Sequence, residues 1–249
     1  MGLGADLHTV LRPVREGNAF EETVERLLII IKLGLVAPGE RFPPERELAA
    51  RLGISRLTLR EALSELHQAG YVESRRGRLG GTFSTYTRPA PSVDELRRLA
   101  TEQGDQLTDA LTFRFAIETG SADMLAQQFA AAGPAARPEV LLARLADVNA
   151  ANPQDYRRLD TLFHLSIAEL TGSSLLSTAC TDARMRLNDL LSAIPVLKLN
   201  IRHGAAQHAA IVDRILAGDP EGARTAVAEH IAGTGALLRG FLALPAVSP

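Results

Sequence analysis

Residues 41–86, RFPPERELAARLGISRLTLREALSELHQAGYVESRRGRLGGTFSTY, decide how the amino-terminal part of this chain folds. Pro43 and Pro44 open a short helix, since proline is tolerated in a first turn. Leu48 and Leu52 stand one turn apart on its buried face, and Gly53 closes it. Ser55 is a natural N-cap, with Thr58 three residues on, for a further helix running to about Ala69. Leu59, Ala62, Leu63 and Leu66 form the core face of that helix, and Gly70 ends it in the left-handed conformation. Tyr71, Val72 and residues 82–86 have strand character. They flank Arg75-Arg76-Gly77-Arg78 and Gly80-Gly81, the pattern of a β-hairpin with a basic tip. Upstream, Val24, Leu27, Leu28 and Ile31 fall at helical spacing, with Glu21, Glu22 and Glu25 where acidic residues suit the helix dipole. Three helices and a hairpin make a winged helix-turn-helix over residues 20–88, preceded by a loosely held arm, 1–19.

Arg88-Pro89-Ala90-Pro91 reads as a short, proline-stiffened linker, 89–92. Beyond it every segment has helical spacing: 93–102, 105–131, 137–150, 154–171, 174–193, 202–217 and 219–242. Gly104, Gly133-Pro134, Asn152-Pro153, Gly172, Pro195 and Gly218 punctuate them, and no strand-like alternation survives past Tyr86. Residues 93–243 are therefore expected as an all-α bundle, with a tail over 244–249. The fold class is mainly α.

Net charge is only −2 over 249 residues, but it is unevenly spread. Residues 41–88 carry nine arginines against five glutamates, whereas from Pro89 onward there are fourteen basic and eighteen acidic residues. A basic module on a mildly acidic body suits a polyanion bound at one end. A helix entering the major groove of B-DNA meets base edges near its amino end. The buried set of the third helix leaves Arg56, Leu57, Thr58 and Arg60 near that end. Arginine can bond guanine bidentately, the Ser55 and Thr58 hydroxyls can hold phosphate or base, and the first amides seat a phosphate. Arg46 is placed to grip the backbone, and Arg76 and Arg78 flank Gly77 at a wing tip. Double-stranded DNA is the expected partner.

A single cysteine, Cys180, excludes an intramolecular disulfide and a thiolate-rich zinc cluster, and reads as a small core residue. No apolar run reaches membrane-spanning length, and the amino terminus lacks the layout of a signal peptide, so a cytoplasmic protein with no membrane partner is expected.

Four residues stand out in the helical half. Asp160 and His164, four apart, share a helix face. His208 lies ten residues before Gly218 and His230 eleven after Asp219. At ~1.5 Å per residue both stand roughly 15–16 Å from the turn, so an antiparallel hairpin sets them side by side. Asp219 as N-cap and Pro220 at the first helical position favour a sharp turn. Three imidazoles and a carboxylate converging in a bundle suit Zn²⁺, Ni²⁺, Fe²⁺ or Mn²⁺. On spacing alone, ordinary hydrogen-bonded histidines remain an equal alternative.

The 41–86 segment resembles the amino-terminal domain of GntR-family regulators. The resemblance rests on Pro44-Glu45-Arg46-Glu47-Leu48-Ala49, Gly53-Ile54-Ser55-Arg56, Leu59-Arg60-Glu61-Ala62-Leu63, Leu66 and Gly81-Thr82-Phe83. It implies operator contact through Arg46, Ser55, Arg56, Thr58, Arg60, Arg76, Gly77 and Arg78. Leu57 departs from the threonine common at its position. Asp160-Thr161-Leu162-Phe163-His164, His208-Ala209-Ala210-Ile211, Gly218-Asp219 and His230-Ile231 resemble the FCD ligand-binding domain of the FadR branch. This second resemblance implies that Asp160, His164, His208 and His230 ligate a divalent metal and that a small organic acid is sensed. Arg114, four residues before Glu118, either forks onto that acid's carboxylate or pairs with Glu118. Arg184 and Asn188 are further candidates to line the cavity, while His8, His67 and His203 receive no role.

The expected protein is a homodimeric regulator, a repressor in the commoner case, on a palindromic operator, with effector and metal changing its affinity. Two alternatives stand: a metalloenzyme built on the Asp/His₃ set, and a regulator whose metal is purely structural. No placed general base, nucleophile pair or phosphate cradle supports the enzyme.

Overall fold

The computed structural model describes residues 19–77, 80–87, 104–133, 139–191, 196 and 198–242. Residues 1–18 of the expected arm, Arg78, the 89–92 linker, the 93–102 helix and the terminal tail lie outside the described residues. The chain divides into two compact units, with the division between residues 89 and 90.

In the first unit, α1 (Ala19–Lys32) buries Thr23, Leu27, Ile30 and Ile31 and carries Glu21 and Glu22 in its first turn. α2 (Glu45–Leu52) follows Pro44, whose φ of −52° is already close to helical, and ends at Gly53 with φ 67°. The Gly53 amide there takes up the Ala49 and Ala50 carbonyls, an arrangement a side chain would strain. α3 (Arg56–Gln68) starts at Ser55, whose hydroxyl accepts the Thr58 amide at 3.0 Å. Leu59, Ala62, Leu63 and Leu66 are buried as their spacing requires, and α3 packs on α1 and α2.

β1 (Val72–Arg75) pairs antiparallel with β2 (Gly81–Ser84), Val72 opposite Ser84 and Arg75 opposite Gly81. The second strand ends two residues short of the expected Tyr86. Thr85 still donates to the Tyr71 carbonyl at 3.0 Å, and Tyr71 and Tyr86 stack 5.2 Å apart, so the extended appearance has a local cause. The backbone before α2 also joins β2: Phe42 donates to the Thr82 carbonyl at 2.8 Å, Ser84 to that of Glu40 at 3.0 Å, and Arg41 bridges Phe83. Two prolines after this stretch hid that pairing, because residues 39–42 have no alternation of their own.

The second unit contains α4 (Gly104–Ala132), α5 (Glu139–Asn149), α6 (Tyr156–Leu170), α7 (Ser174–Leu191), α8 (Lys198–Leu216) and α9 (Pro220–Leu242). α4 is the spine, packing against α6, α7, α8 and α9. Phe163, Ile167, Leu125, Ile211, Ile215 and Val227 meet in the main core, and Ala110, Leu187, Leu190 and Leu238 in a smaller cluster. α6 is buried continuously from Asp160 to Ala168, so its polar side chains point into the bundle. α8 begins four residues ahead of the expected 202, because its first turn sets Leu199 and Ile201 two apart instead of at the three-or-four spacing of a helical stripe. Among the described residues no helix is long and apolar enough to cross a membrane.

Candidate nucleic-acid interface and candidate metal centre

The first turn of α3 is held from inside. Ser55 Oγ takes the Thr58 amide and sits 2.9 Å from Thr58 Oγ1. Ser55, Arg56, Leu57 and Arg60 are exposed, as is Arg46 on α2. Arg60 Nε donates to Glu45 Oε2 at 2.7 Å, bracing α3 against α2. Both partners are substantially exposed, so the ion pair contributes little net stability and yields readily to a phosphate. At the hairpin, Arg76 is exposed and Gly77 adopts φ 102° with open space where a Cβ would stand. Arg75 instead lies 4.2 Å over the Phe83 ring and pairs with Glu73, and Arg41 reaches the Gly80 carbonyl.

Inside the second unit, Asp160 and His164 from α6 meet His208 from α8 and His230 from α9. One ligand atom from each lies within 4.8 Å of all the others, and all four residues are buried. His164 Nε2 stands 3.2 Å from His230 Nε2 and 3.8 Å from Asp160 Oδ1, and His208 Nε2 is 3.2 Å from the same oxygen. The side-by-side placement of the α8 and α9 histidines follows from their matched distance to the turn. Gly218 adopts φ 64°, Asp219 Oδ1 accepts the Gly222 amide at 2.9 Å, and the His208 and His230 rings end 4.7 Å apart.

The outer partners of the imidazoles decide what these nitrogens can do. His164 Nδ1 faces Glu118 Oε2 at 2.9 Å, and His230 Nδ1 faces Gln207 Oε1 at 3.1 Å. Both oxygens only accept, so the neighbouring groups favour a proton on Nδ1 of each imidazole, the tautomer that turns an Nε2 lone pair inward. Burial pushes His164 down to about 4, against the pull of Glu118, and pushes His230 well below the ordinary range. Neither is an imidazolium at neutral pH, so two lone pairs and a carboxylate oxygen converge on one small volume. A divalent ion relieves that clash. Metal–ligand bonds of about 2.0–2.2 Å put neighbouring donors roughly 3.0–3.5 Å apart, close to the spacings here. Histidines oriented by a carboxylate and an amide are the usual outer shell of a metal site. The residues fit a divalent ion.

Burial alone would raise the Asp160 and Glu118 carboxyls. Arg184 and the neighbouring imidazoles hold Asp160 well below the usual carboxylate range, and Arg114, His164 and Arg184 do the same for Glu118. Arg184, fully buried on α7, bonds Asp160 directly and lies 3.6 Å from Glu118. Asn188, one turn on, donates to Thr161 Oγ1 at 3.0 Å. A cavity of about 280 Å³ opens beside the cluster. Its polar lining includes Arg114, Tyr156, Asp160, Arg184, Gln207 and His230, and its apolar lining Leu187, Leu191, Val196 and Leu237. Of the two roles expected of Arg114, the pair with Glu118 is formed, Nε to Oε1 at 3.0 Å, while Nη1 and Nη2 are buried with no hydrogen-bond partner among the described residues.

Asn188 is not among the cavity-lining residues and acts one step back, on Thr161. His203, given no role from sequence, does line the cavity, together with Tyr156, whose hydroxyl burial and Asp160 keep protonated. Tyr156 lies one turn before Asp160 on the same helix, a signal that was available. Glu118 and Gln207 left none, because their roles depend on how α4 and α8 cross α6 and α9. Cys180 is fully buried, and burial pushes its thiol up, as a core residue requires.

A winged helix-turn-helix followed in the chain by an all-helical unit is the architecture of a DNA-binding transcriptional regulator. Residues 20–83 match the gntR family of bacterial regulatory proteins, and residues 109–233 match the FCD domain. A protein of Escherichia coli (strain K12) named for regulation of the L-lactate dehydrogenase operon is 31% identical over 229 residues, 85% of this chain and 83% of the relative. RmpR of Mycobacterium gastri, named as an HTH-type transcriptional regulator, is 33% identical over 236 residues, 89% of this chain and 81% of its own. Among solved structures, Escherichia coli McbR/YncC aligns with 90% of this chain and 98% of its own at 20% identity and a TM-score of 0.48. The chain belongs to the GntR family of transcriptional regulators, with an FCD domain as its second half, and is not an enzyme.

Proposed function

We propose that this regulator is a homodimeric repressor whose helical domain binds a divalent metal and a small carboxylate, and that the acid alters its affinity for a palindromic operator. Asp160, His164, His208 and His230 hold the ion, which is Zn²⁺, Ni²⁺, Fe²⁺ or Mn²⁺. When bound, it supplies positive charge and open coordination positions to an anionic ligand. Glu118 and Gln207 orient two of the imidazoles. Arg184 offsets Asp160 and Glu118, and Asn188 steadies the same pair of helices through Thr161. The observation that carries the reading is the fork of Arg114: two buried NH2 groups without a hydrogen-bond partner among the described residues, beside the converging lone pairs. Unpaired buried donors are costly, and a carboxylate satisfies both at once. The two arginines and two carboxylates around the cluster cancel, so a bound divalent cation leaves an excess of positive charge that an organic acid offsets.

On DNA, Arg56 and Arg60 reach base edges, Ser55, Thr58 and Arg46 hold phosphates, and Arg76, Gly77 and Arg78 form the wing contact. The operon named for the Escherichia coli relative makes short 2-hydroxy acids the first probes. The test uses the full chain on a duplex from its own promoter, with metal content by mass spectrometry and binding by fluorescence anisotropy. The double variant His208→Ala, His230→Ala is expected to lose the ion, and one of the acids is expected to shift operator affinity at least fivefold in the wild type only. Unchanged metal content in that variant sinks the ligand set. Metal loss without any acid response across the panel sinks the effector reading and leaves the ion structural.

A further inference from the structure

Leu57 is two-thirds exposed, at 67%, on a helix whose other leucines, Leu59, Leu63 and Leu66, are sealed in the core. It is the second residue of α3, in the turn that carries Arg56 before it and Thr58 and Arg60 after it. That turn holds no acidic residue, so nothing in it repels a polyanion. A lone exposed leucine is ordinary on a protein surface. This one is distinguished by its place, because winged helix-turn-helix modules aim the first turn of this helix at base edges. The turn is also capped from within, Ser55 Oγ accepting the Thr58 amide at 3.0 Å.

A leucine side chain neither donates nor accepts. Of the groups displayed in the major groove, guanine N7 and O6, adenine N7 and N6, cytosine N4 and thymine O4 all need a polar partner. Only the thymine C5-methyl gains from an apolar neighbour. Against any other base, Leu57 would strip water from a donor or acceptor and return no hydrogen bond. The residue therefore favours one base through contact and disfavours the others through unpaired polar edges. We propose that Leu57 reads the 5-methyl group of a thymine in each operator half-site, a specificity element that rests on the docking of α3 in the major groove proposed above.

Deoxyuridine differs from thymidine by that methyl alone, so it isolates the contact. Duplexes are first selected from a randomised pool by the full-length protein, and each enriched thymine is then replaced singly by deoxyuridine. Binding is measured for the wild type and for Leu57→Ala, with thermal unfolding to verify that this exposed substitution leaves the fold unchanged. At one thymine of each half-site, methyl removal is expected to weaken the wild type about fourfold, the effect of one methyl leaving an apolar contact. Leu57→Ala is expected to bind thymine and uracil equally there, while its responses at guanines persist. A wild type indifferent to methyl removal at every thymine overturns the assignment. So does an undiminished thymine preference in Leu57→Ala. In both cases the enriched consensus still stands, and with it the docking of α3. Failure to enrich any duplex instead overturns the docking itself and this contact together.

Discussion

Arg184 shows what a single buried charge does in this fold. Its guanidinium is fully buried between Asp160 and Glu118; it is the main cause that holds the Asp160 carboxyl ionised, and it adds to Arg114 and His164 in holding that of Glu118. Removing one member of such a group leaves uncompensated charge in a low dielectric. Arg184→Ala is expected to cost about 3–5 kcal/mol in urea unfolding, far more than its lost contacts alone. Ser55 gives the contrast at the surface. Its hydroxyl satisfies one orphan amide in water, so Ser55→Ala should cost about 1 kcal/mol by the same measurement. The histidines set the pH response. Folding lowers the proton affinity of His164, to about 4 from 6.5, and that of His230 in the same direction. Between those values the unfolded chain takes up more protons than the folded one, so stability falls as pH drops through the window. Asp160 and Glu118, also depressed, extend the loss below it. Protein stripped of metal by chelator should therefore show a urea midpoint that declines steadily from pH 6.5 toward 4, and a flat midpoint would refute the buried neutral imidazoles.

At the scale of elements, the turn joining α8 and α9 sets the centre's geometry. Asp219 caps α9 through the Gly222 amide and also bonds Arg214 at 3.1 Å. A Cβ on Gly222 would stand 2.1 Å from Asp219 Oδ2, so Gly222→Ala must displace the cap. The expected cost is about 1 kcal/mol in thermal or urea unfolding, and an unchanged midpoint would show that the cap has moved without loss. This turn was legible in the sequence. Gly218, Asp219 and Pro220 are local signals, and their distances along the chain to His208 and His230 nearly match. The α2–α3 turn was legible for the same reason, since Gly53 and the Ser55 cap act within a few residues. What stayed hidden depends on distant elements meeting. Glu118 reaches His164 from α4, 46 positions away, and Arg41 bridges Phe83 from the far side of α2 and α3 in the sequence. Helical spacing says which face of α4 is inward, but not which neighbour that face will find. His203 has no local signal, because it follows Arg202 in a turn without a regular apolar stripe, and its place beside the cavity depends on how α8 packs.

For the whole molecule, the two halves carry opposite charge and answer to different variables. Residues 41–88 hold the arginine excess, and the remainder from Pro89 is mildly acidic. Binding of duplex by the basic half should therefore weaken steeply with salt, because each neutralised phosphate releases counterions. The salt slope counts phosphate contacts and says nothing about which conformational state makes them. Coupling to an acid works differently: it is a free-energy difference between states, felt at the operator only when the ligand distinguishes those states. Two substitutions separate the terms. Arg76→Ala should reduce the slope of log K against log salt by about 0.9 for each phosphate contact removed, while the fold-change produced by the active acid stays the same. His208→Ala should leave the slope at the wild-type value and abolish the fold-change. If His208→Ala flattened the salt slope as much as Arg76→Ala did, the cluster would be supporting the DNA-binding half as a scaffold, and its sensory role would have to be abandoned.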